Sequence, residues 1–271
     1  MTNNPFDKFE IDHLSASSIN LFISNPSQWI LRYLFGIKWE GNAATTRGTI
    51  VDEATGRSKG FYKTKNNKWV RKKTRTALNK NLELSFKGYD SLIAHLKKHN
   101  TEFDEGKAKT ERDNLQRYIE TSVAYYKELK GLVDYQVKIE LQLEELPIPI
   151  IGYLDLEYED TVRDIKTVSR MPSVVPSPVN RQLAIYAAAT GKVPIADYVY
   201  VTKTKDEVRP IVVDDVDKYL EEVKRAAMTI MNVLSYSDDK NQIANLYFPD
   251  LDQWQWTNKE REAARQIWSI N

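Results

Sequence analysis

Two acidic residues and one lysine stand where the sequence otherwise predicts β-strands. In IIGYLDLEYEDTVRDIKTVSR, apolar residues alternate with others on both sides of a short acidic turn, which is the pattern of two strands joined as a hairpin. Asp155 falls in the first strand, and Asp164 and Lys166 fall in the second. With a tight turn between the strands, Asp155 faces Asp164. Charges at these positions need a chemical role, because a covered sheet buries apolar side chains there.

The preceding strand adds a third carboxylate to this prediction. A hairpin centred near the first proline of LEELPIPI sets Glu140 opposite Asp155, so that three carboxylates stand in a row. The Cβ atoms of opposed residues lie roughly 4.5–5.5 Å apart, and like charges there are destabilising. Lys166 points to the same face as Asp164, but one ammonium group cannot neutralise three carboxylates. Oxygen ligands suit a hard divalent cation, so the pattern predicts a Mg²⁺ or Mn²⁺ site.

A second interpretation treats these side chains as ordinary cross-strand pairs on a solvated sheet face. The next predicted helix, VNRQLAIYAAATG, is small and apolar, and we expect it to pack on the sheet. A covered face favours the cation site, although the spacing alone leaves both interpretations open.

The elements that must position these residues follow from the hydrophobic periodicity. Up to Gly131 the period is near 3.6, which predicts two short helices in LSASSINLFISNPSQWILRYLFG, a helix start at TTRGTIVDEATGR, and helices over 89–99 and 108–131. Beyond it the period becomes 2, and we expect strands at 134–144, 149–158, 161–168, 196–202 and 208–213, with helices at 179–190 and 215–235. This order predicts an α/β (α+β) fold, with a mixed β-sheet flanked by helices.

The same pattern predicts one domain over residues 1–271. Its first part, 1–131, is mainly helical and contains a basic segment, 57–80; the sheet core follows at 132–235, and a tail with one helix at 236–271. No internal repeat or long linker divides the sequence.

The charge of the chain is balanced overall but clustered locally. With 39 basic and 38 acidic residues the net charge is +1, so affinity for a polyanion has to come from local clusters. No residue from Ala54 to Leu82 is acidic. The basic residues within this stretch are Arg57, Lys59, Lys63, Lys65, Lys68, Arg71, Lys72, Lys73, Arg75 and Lys80. The segment is either a surface that binds nucleic acid or a solvated loop.

Several chemistries are excluded by composition. The sequence contains no cysteine, which excludes disulfides, thiolate nucleophiles and cysteine-ligated iron–sulfur clusters. The start, MTNNPFDKFEIDHL, lacks the features of a signal peptide, and no apolar run approaches the roughly 20 residues that span a bilayer. We therefore expect a cytoplasmic protein with no membrane partner.

The motifs around the predicted site resemble a known family. GYLDLEY, followed by VRDIKT and then RQLAIYA, resembles the signature of the PD-(D/E)XK nuclease superfamily, specifically its RecB-like branch. Upstream, LSASSINLFISNPSQWILRYL resembles the N-terminal helical element of that branch, and RGTIVDEA resembles its Gly-x-x-x-His motif. The resemblance spans roughly residues 14–202 and implies a restriction-endonuclease-like fold.

The resemblance also implies roles for single residues. It makes Asp155 and Asp164 metal ligands, with the carbonyl of Ile165 as a third. Lys166 would position or help activate the attacking water and stabilise charge on the scissile phosphate.

Two further motifs of the branch leave alternatives open. Gln182 and Tyr186, one helical turn apart, would orient the lysine or contact DNA, while Tyr186 could equally be a core residue. Where the branch usually has His, this chain has Asp52 followed by Glu53, and carboxylates also suit a hard cation. Either acid is a candidate ligand. The cysteines of the iron–sulfur members are missing, so no such cluster is expected.

A binding role is not the preferred interpretation for two further groups of aromatic and imidazole residues. His95 and His99 have the i, i+4 spacing of a ligand pair, but an exposed helix face is the preferred interpretation. Trp254, Trp256 and Trp268 could stack on bases, although packing of the last helix against the core is favoured.

The function that the resemblance implies is Mg²⁺- or Mn²⁺-dependent hydrolysis of DNA. An exonuclease acting from DNA ends in recombination, repair or replication is preferred, with a phage as one candidate source and the bacterial or phage-infected cytoplasm as its location. The DNA backbone would be bound by Arg71, Lys72, Lys73 and Arg75. The alternatives are a structure-selective or single-strand endonuclease and an inactive DNA-binding or assembly subunit. A recombination or replication partner protein and an oligomer both stay open.

Overall fold

Helices occupy most of the first half of the chain. In the computed structural model, which describes residues 4–99 and 103–270, a 3₁₀ turn precedes three helices, α1 (Ala16–Ser24), α2 (Pro26–Tyr33) and α3 (Ala43–Ser58). A hairpin of two short strands, β1 (Phe61–Lys63) and β2 (Trp69–Arg71), leads to two longer helices, α4 (Leu78–His99) and α5 (Glu105–Glu128).

Local capping explains where the first helices begin. Ser15 and Ser18 form a capping box at α1, and Asn42 and Thr45 form another at α3, so that main-chain N–H groups without helical partners are satisfied. Asn25 accepts from a main-chain N–H group of α2, which starts with a proline. These are the two short helices and the helix start that the sequence predicts.

A five-stranded mixed sheet forms the second half. Its strands are β3 (Leu132–Leu141), β4 (Ile150–Tyr158), β5 (Thr161–Val168), β6 (Val193–Val201) and β7 (Asp206–Val212), and they are adjacent in this order. Only β5 and β6 run parallel, because α6 (Ser177–Thr190) makes the crossover between them. The chain continues with α7 (Val216–Ser235), α8 (Lys240–Ala244) and α9 (Asn258–Trp268).

Helices pack on both faces of this sheet, which confirms the predicted architecture. One hydrophobic cluster joins α1, α6 and α7 to the sheet through residues such as Ile19, Leu183 and Ile230. A second cluster joins α3, α4 and α5 to the other face. Within the described residues, no helix is long and apolar enough to cross a membrane.

Several element boundaries differ from the sequence expectations, most of all in the helical half of the chain. The basic segment, expected as loop or short helices, contains the β1–β2 hairpin. Helix α4 begins eleven residues earlier than expected, at Leu78 in place of residue 89. Helix α5 ends at Glu128 and not beside Gly131, which instead adopts a φ of +77° in the connection to β3.

The predicted register is right for one hairpin and wrong for the other. Strands β4 and β5 pair through Leu156 with Arg163, as a turn at the acidic pair requires. Strands β3 and β4 pair through Glu140 with Ile151, so the prediction that Glu140 faces Asp155 is wrong by four residues. The connection between these strands spans residues 142–149, which is longer than a tight turn, and its centre lies two residues before the predicted one.

Candidate active site

The sheet opens between β4 and β5 at the predicted acidic residues. The main-chain ladder between these strands is formed at the turn and extends only as far as Leu156 and Arg163. Beyond that point a side chain replaces the ladder, since the N–H of Ile165 donates to Oδ2 of Asp155 at 2.7 Å. The opening therefore places a carboxylate between two strands that would otherwise bond to each other.

Asp164 and Lys166 lie on β5, on one side of this opening. Asp164 is buried, with 2% of its surface exposed, and Nζ of Lys166 lies 2.6 Å from its Oδ2. The side chain of Lys166 is 27% exposed. A buried carboxylate thus holds the ammonium group of a partly exposed lysine side chain.

Helix α6 fixes the direction of this lysine through a chain of hydrogen bonds. Nζ of Lys166 donates to Oε1 of Gln182 at 2.8 Å, Nε2 of Gln182 donates to the hydroxyl of Tyr186 at 2.8 Å, and that hydroxyl donates to the carbonyl of Tyr153 at 2.8 Å. Gly152 makes the contact with β4 possible, because a Cβ there would lie 2.7 Å from the ring of Tyr186. This chain of hydrogen bonds fixes the position of the lysine.

Helix α3 brings a third acid to the site. Oδ2 of Asp52 accepts from the hydroxyl of Tyr135 and from Nε2 of Gln136, both at 2.9 Å. The same Nε2 donates to Oδ1 of Asp155 at 3.0 Å. The close approach of α3 depends on Gly56, since a Cβ there would lie 2.5 Å from the ring of Tyr135.

Burial and mutual repulsion perturb the acids. Burial, with the charge of Asp164 in addition, raises the pKa of Asp155 to about 7. Burial and the charge of Asp155 raise the pKa of Asp52 well above its usual range. Burial opposes the charge on Lys166, but Asp164 and Asp155 outweigh it and raise the pKa of this lysine. The site is short of positive charge.

The donor set fits a divalent cation that takes some of its ligands from outside the protein. In the described parts of the chain, no three acidic or imidazole side chains form a complete metal cluster. However, Oδ1 of Asp52 is buried without a hydrogen-bond partner there, which leaves an oxygen available. Mg²⁺ commonly binds through one or two carboxylates and fills its sphere with water and phosphate oxygens. Asp155, Asp164, Asp52 and the carbonyl of Ile165 are the candidate ligands.

The structure distinguishes between some residues that the sequence left as alternatives. Asp52 and not Glu53 shares the amide of Gln136 with Asp155, whereas Glu53 pairs with Lys63 at 3.0 Å. Glu140 is displaced by its register and exposed, and its nearest cation, Lys138, is 3.8 Å away. We therefore withdraw Glu140 as a candidate ligand.

The DNA-contact role predicted for Tyr186 is also corrected. Tyr186 is buried, with 3% of its surface exposed, so its ring packs in the core. Its hydroxyl accepts a hydrogen bond from Nε2 of Gln182. Trp256 is 2% exposed and Trp268 donates to the carbonyl of Ala244, as expected of core packing, while Trp254 is 87% exposed.

The predicted DNA-contacting cations are on the surface. Arg71, Lys72, Lys73 and Arg75 are all exposed and lie on or just after β2. His95 and His99 are exposed on α4, with ring centroids 4.5 Å apart. The surface cations are thus available to a ligand, and the His pair lies on an open helix face as expected.

Gln136 is the functional candidate that sequence reasoning missed. It stands between Tyr135, which pairs with Leu156, and Val137, which pairs with Leu154, and so takes the position opposite Asp155 that was expected for Glu140. Its φ of +52° removes it from the ladder and is uncommon for a residue with a side chain. Sequence reasoning missed it because it centred the β3–β4 connection two residues too far along the chain.

Comparison with known proteins adds a family and a fold. The model of the PD-(D/E)XK nuclease superfamily matches residues 13–266. No curated protein matches. The crystal structure of a candidate exonuclease from Eubacterium rectale is similar over 97% of this chain and 92% of its own, with a TM-score of 0.52 and 15% identity.

A second solved structure, that of SSO0001, is similar over 51% of this chain and 69% of its own, with a TM-score of 0.32 and 14% identity. That likeness is too distant to bear on the fold. The first one, together with the mixed sheet and its flanking helices, is consistent with a restriction-endonuclease-like fold.

Proposed function

Because this chain belongs to the PD-(D/E)XK nuclease superfamily, we propose that it is a metal-dependent nuclease of the RecB-like branch that hydrolyses phosphodiester bonds of DNA. The observation that carries the proposal is the pairing of Lys166 with the buried Asp164, 2.6 Å apart, beside Asp155 in the opening of the sheet. These are the three residues that the family motif places in its centre.

The metal would be held by Asp155, Asp164 and the carbonyl of Ile165, with Asp52 as a further ligand. A divalent cation at this site would lower the pKa of a water molecule bound to it and would offset the negative charge of the phosphate. The carboxylates bind the cation in their ionised form. Because the pKa values of Asp52 and Asp155 are raised, protons compete with the cation for these carboxylates.

Lys166 acts as a fixed cation in this proposal. Its ammonium group is held by Asp164 and Gln182, and the nearby carboxylate favours the charged form. It is suited to donate hydrogen bonds to a phosphate oxygen and to stabilise the negative charge that develops during hydrolysis. Gln182 and Tyr186 hold it in that direction.

An exonuclease that acts from DNA ends is the form that we prefer. The neighbour from Eubacterium rectale is described as a candidate exonuclease, which supports this form. The exposed Arg71, Lys72, Lys73 and Arg75 would bind the backbone without reading its sequence. Recombination, repair or replication in the cytoplasm of a bacterium or of a phage-infected host cell is the proposed setting.

The test is digestion of end-labelled linear DNA and covalently closed circular DNA with Mg²⁺, with Mn²⁺ and with excess chelator. We expect linear DNA to be degraded from its ends only when a divalent cation is present. Equal cleavage of closed circles would replace the exonuclease by an endonuclease. Activity in excess chelator, or no activity on any DNA with either cation, would reject the proposal.

A further inference from the structure

A pocket of about 180 Å³ is lined by five cationic side chains and no acidic one. The cations are Lys59 at the end of α3, Arg71 and Arg75 on and after β2, and Lys127 and Lys130 at the end of α5. Leu129, Gly131 and Leu132 complete its lining. We call it the cationic pocket. The α3–β2 region and the end of α5, which is distant from it in sequence, converge on this pocket.

The charges of the cationic pocket are not neutralised by carboxylates. Cations of the neighbouring sequence, Arg57 and Lys63, pair with Glu53. By contrast, none of the five pocket cations forms an ion pair within residues 4–99 and 103–270. The charge of Glu128 does act on Lys59, but less strongly than those of Arg75, Lys130 and Arg71.

Main-chain carbonyls orient two of these cations. Nζ of Lys59 donates to the carbonyl of Leu129 at 2.9 Å, and the guanidinium of Arg71 donates to the carbonyls of Val133 and Leu132 at 3.3 and 3.4 Å. Of these carbonyls only that of Leu129 lies at a helix C-terminus, where the helix dipole is equivalent to only about half a negative charge and cannot balance five cations. The remaining donors are free to bind another acceptor.

The buried position of Lys59 makes this convergence costly. Only 8% of Lys59 is exposed, and burial together with Arg75, Lys130 and Arg71 lowers its pKa to about 8. An ammonium group held beside other cations, away from water, destabilises the fold unless an anion offsets it. A group with several oxygen acceptors and negative charge is the matching ligand.

We propose that the cationic pocket binds a phosphate group of a DNA strand. The choice of DNA rests on the proposed function, whereas the choice of phosphate rests on the cations themselves. The cationic pocket is a binding site distinct from the carboxylates, and it adds a second fixed point for the substrate.

The position of the cationic pocket gives its spacing from the candidate active site. Lys59 is seven residues after Asp52, or about 10 Å along α3 at 1.5 Å per residue. Leu132 pairs with Tyr158, which is three residues after Asp155, or about 10 Å along β4. Each offset is about 10 Å, which equals the rise of about three base pairs along the axis of B-DNA at about 3.4 Å each.

The test uses two exposed residues of the cationic pocket, so that folding is preserved. The variant is the full chain with Arg75→Gln and Lys130→Gln, and its matched control carries Lys87→Gln and Lys98→Gln, two exposed cations of α4 outside the cationic pocket. Circular dichroism and Tm establish that both fold. Affinity is measured in excess chelator, so that binding is separated from cleavage, with oligonucleotides that carry a 5′-phosphate or a 5′-hydroxyl.

We expect the pocket variant to bind DNA about tenfold more weakly than the control and the wild type. We also expect its slope of log K against log salt to fall by about 0.7–0.9, the contribution of one phosphate contact. Loss on both oligonucleotides assigns a backbone phosphate, and loss only with the 5′-phosphate assigns a terminal one. Equal binding by variant and control on every oligonucleotide would overturn the proposal.

A second arm separates the cationic pocket from the proposed function. Inorganic phosphate should raise the Tm of wild type and control above that in chloride at equal ionic strength, but not that of the pocket variant. If wild type binds no DNA while phosphate still distinguishes the variants, the nuclease function fails and the phosphate site stands. If phosphate stabilises the wild type but the variants bind DNA equally, the assignment to DNA is wrong.

Discussion

The side-chain amide of Gln136 donates a hydrogen bond of 3.0 Å to Oδ1 of Asp155. The same nitrogen donates to Asp52 at 2.9 Å, so one neutral amide links two acids whose pKa values are raised. The left-handed backbone that aims this amide costs about 1–3 kcal/mol. Gln136 therefore holds two carboxylates together in the absence of a cation, at a cost in backbone strain.

Replacing this amide by a carboxylate should make the fold depend on metal. Gln136→Glu adds a third negative charge between Asp52 and Asp155, so we expect Tm in chelator to fall by several degrees, at about 2–4 °C per kcal/mol for a chain of this size. Mn²⁺ or Mg²⁺ should then raise Tm by more than it does in wild type. Gln242→Glu, the same change on an exposed position of α8, is the control. Equal responses of the two variants would contradict a linking role for Gln136.

Removing the charge of Asp52 should have the opposite effect. In Asp52→Asn the remaining oxygen can still accept from Tyr135 and Gln136, while the repulsion from Asp155 is lost. We expect Tm in chelator at pH 8 to rise by a few degrees, and the rise in Tm on adding Mn²⁺ to shrink. Thermal melts with and without metal measure both quantities.

Glu53→Gln is the control for that experiment, because Glu53 neighbours Asp52 but pairs with Arg57 and Lys63. It should leave the response to Mn²⁺ as in wild type. If Glu53→Gln abolishes that response and Asp52→Asn does not, the ligand is the other acid.

The metal-free protein should lose stability as the pH rises towards neutrality. The folded-state pKa of Asp155, about 7, lies above its ordinary value near 4. The protonated carboxyl is therefore the form that the metal-free fold favours, and its contribution to stability is lost between about pH 4 and about pH 7. Tm measured in chelator should fall across this window and level off above about pH 7, where the carboxyl is ionised in both the folded and the unfolded state. Asp155→Asn should flatten the dependence of Tm on pH. If this variant shows the same dependence as wild type, groups other than Asp155 cause the loss of stability.

Lys166→Ala should remove hydrolysis and retain DNA binding. The ammonium of Lys166 contacts Asp164 and Gln182 and serves no apolar packing, so the fold should persist. Loss of a preorganised donor to the phosphate predicts a fall in rate of at least about 10²-fold. Single-turnover cleavage at saturating DNA measures this fall.

Lys138→Ala is the matched control for that experiment, since Lys138 is a strand lysine near a carboxylate, Glu140, outside the site. It should cleave as wild type does. Wild-type turnover by Lys166→Ala would show that the DIK sequence is only a structural strand.

The sequence by itself determined the centre of the site, because its geometry is local. The alternation of side chains and a turn of two residues are sufficient to place Asp155 near Asp164 and Lys166. One helical turn likewise places Gln182 beside Tyr186. The helices on both faces followed from the change of hydrophobic period.

Only the tertiary structure decided what surrounds that centre. The β3–β4 pairing, with a connection longer than a tight turn, moved Glu140 away and put Gln136 opposite Asp155. The packing of α3 placed Asp52, and not Glu53, beside Tyr135 and Gln136 at the candidate site. The cationic pocket needs α3, β2 and α5 together. Each depends on contacts between residues far apart in sequence, which periodicity cannot encode because it reports the exposed face of an element but not which element covers it.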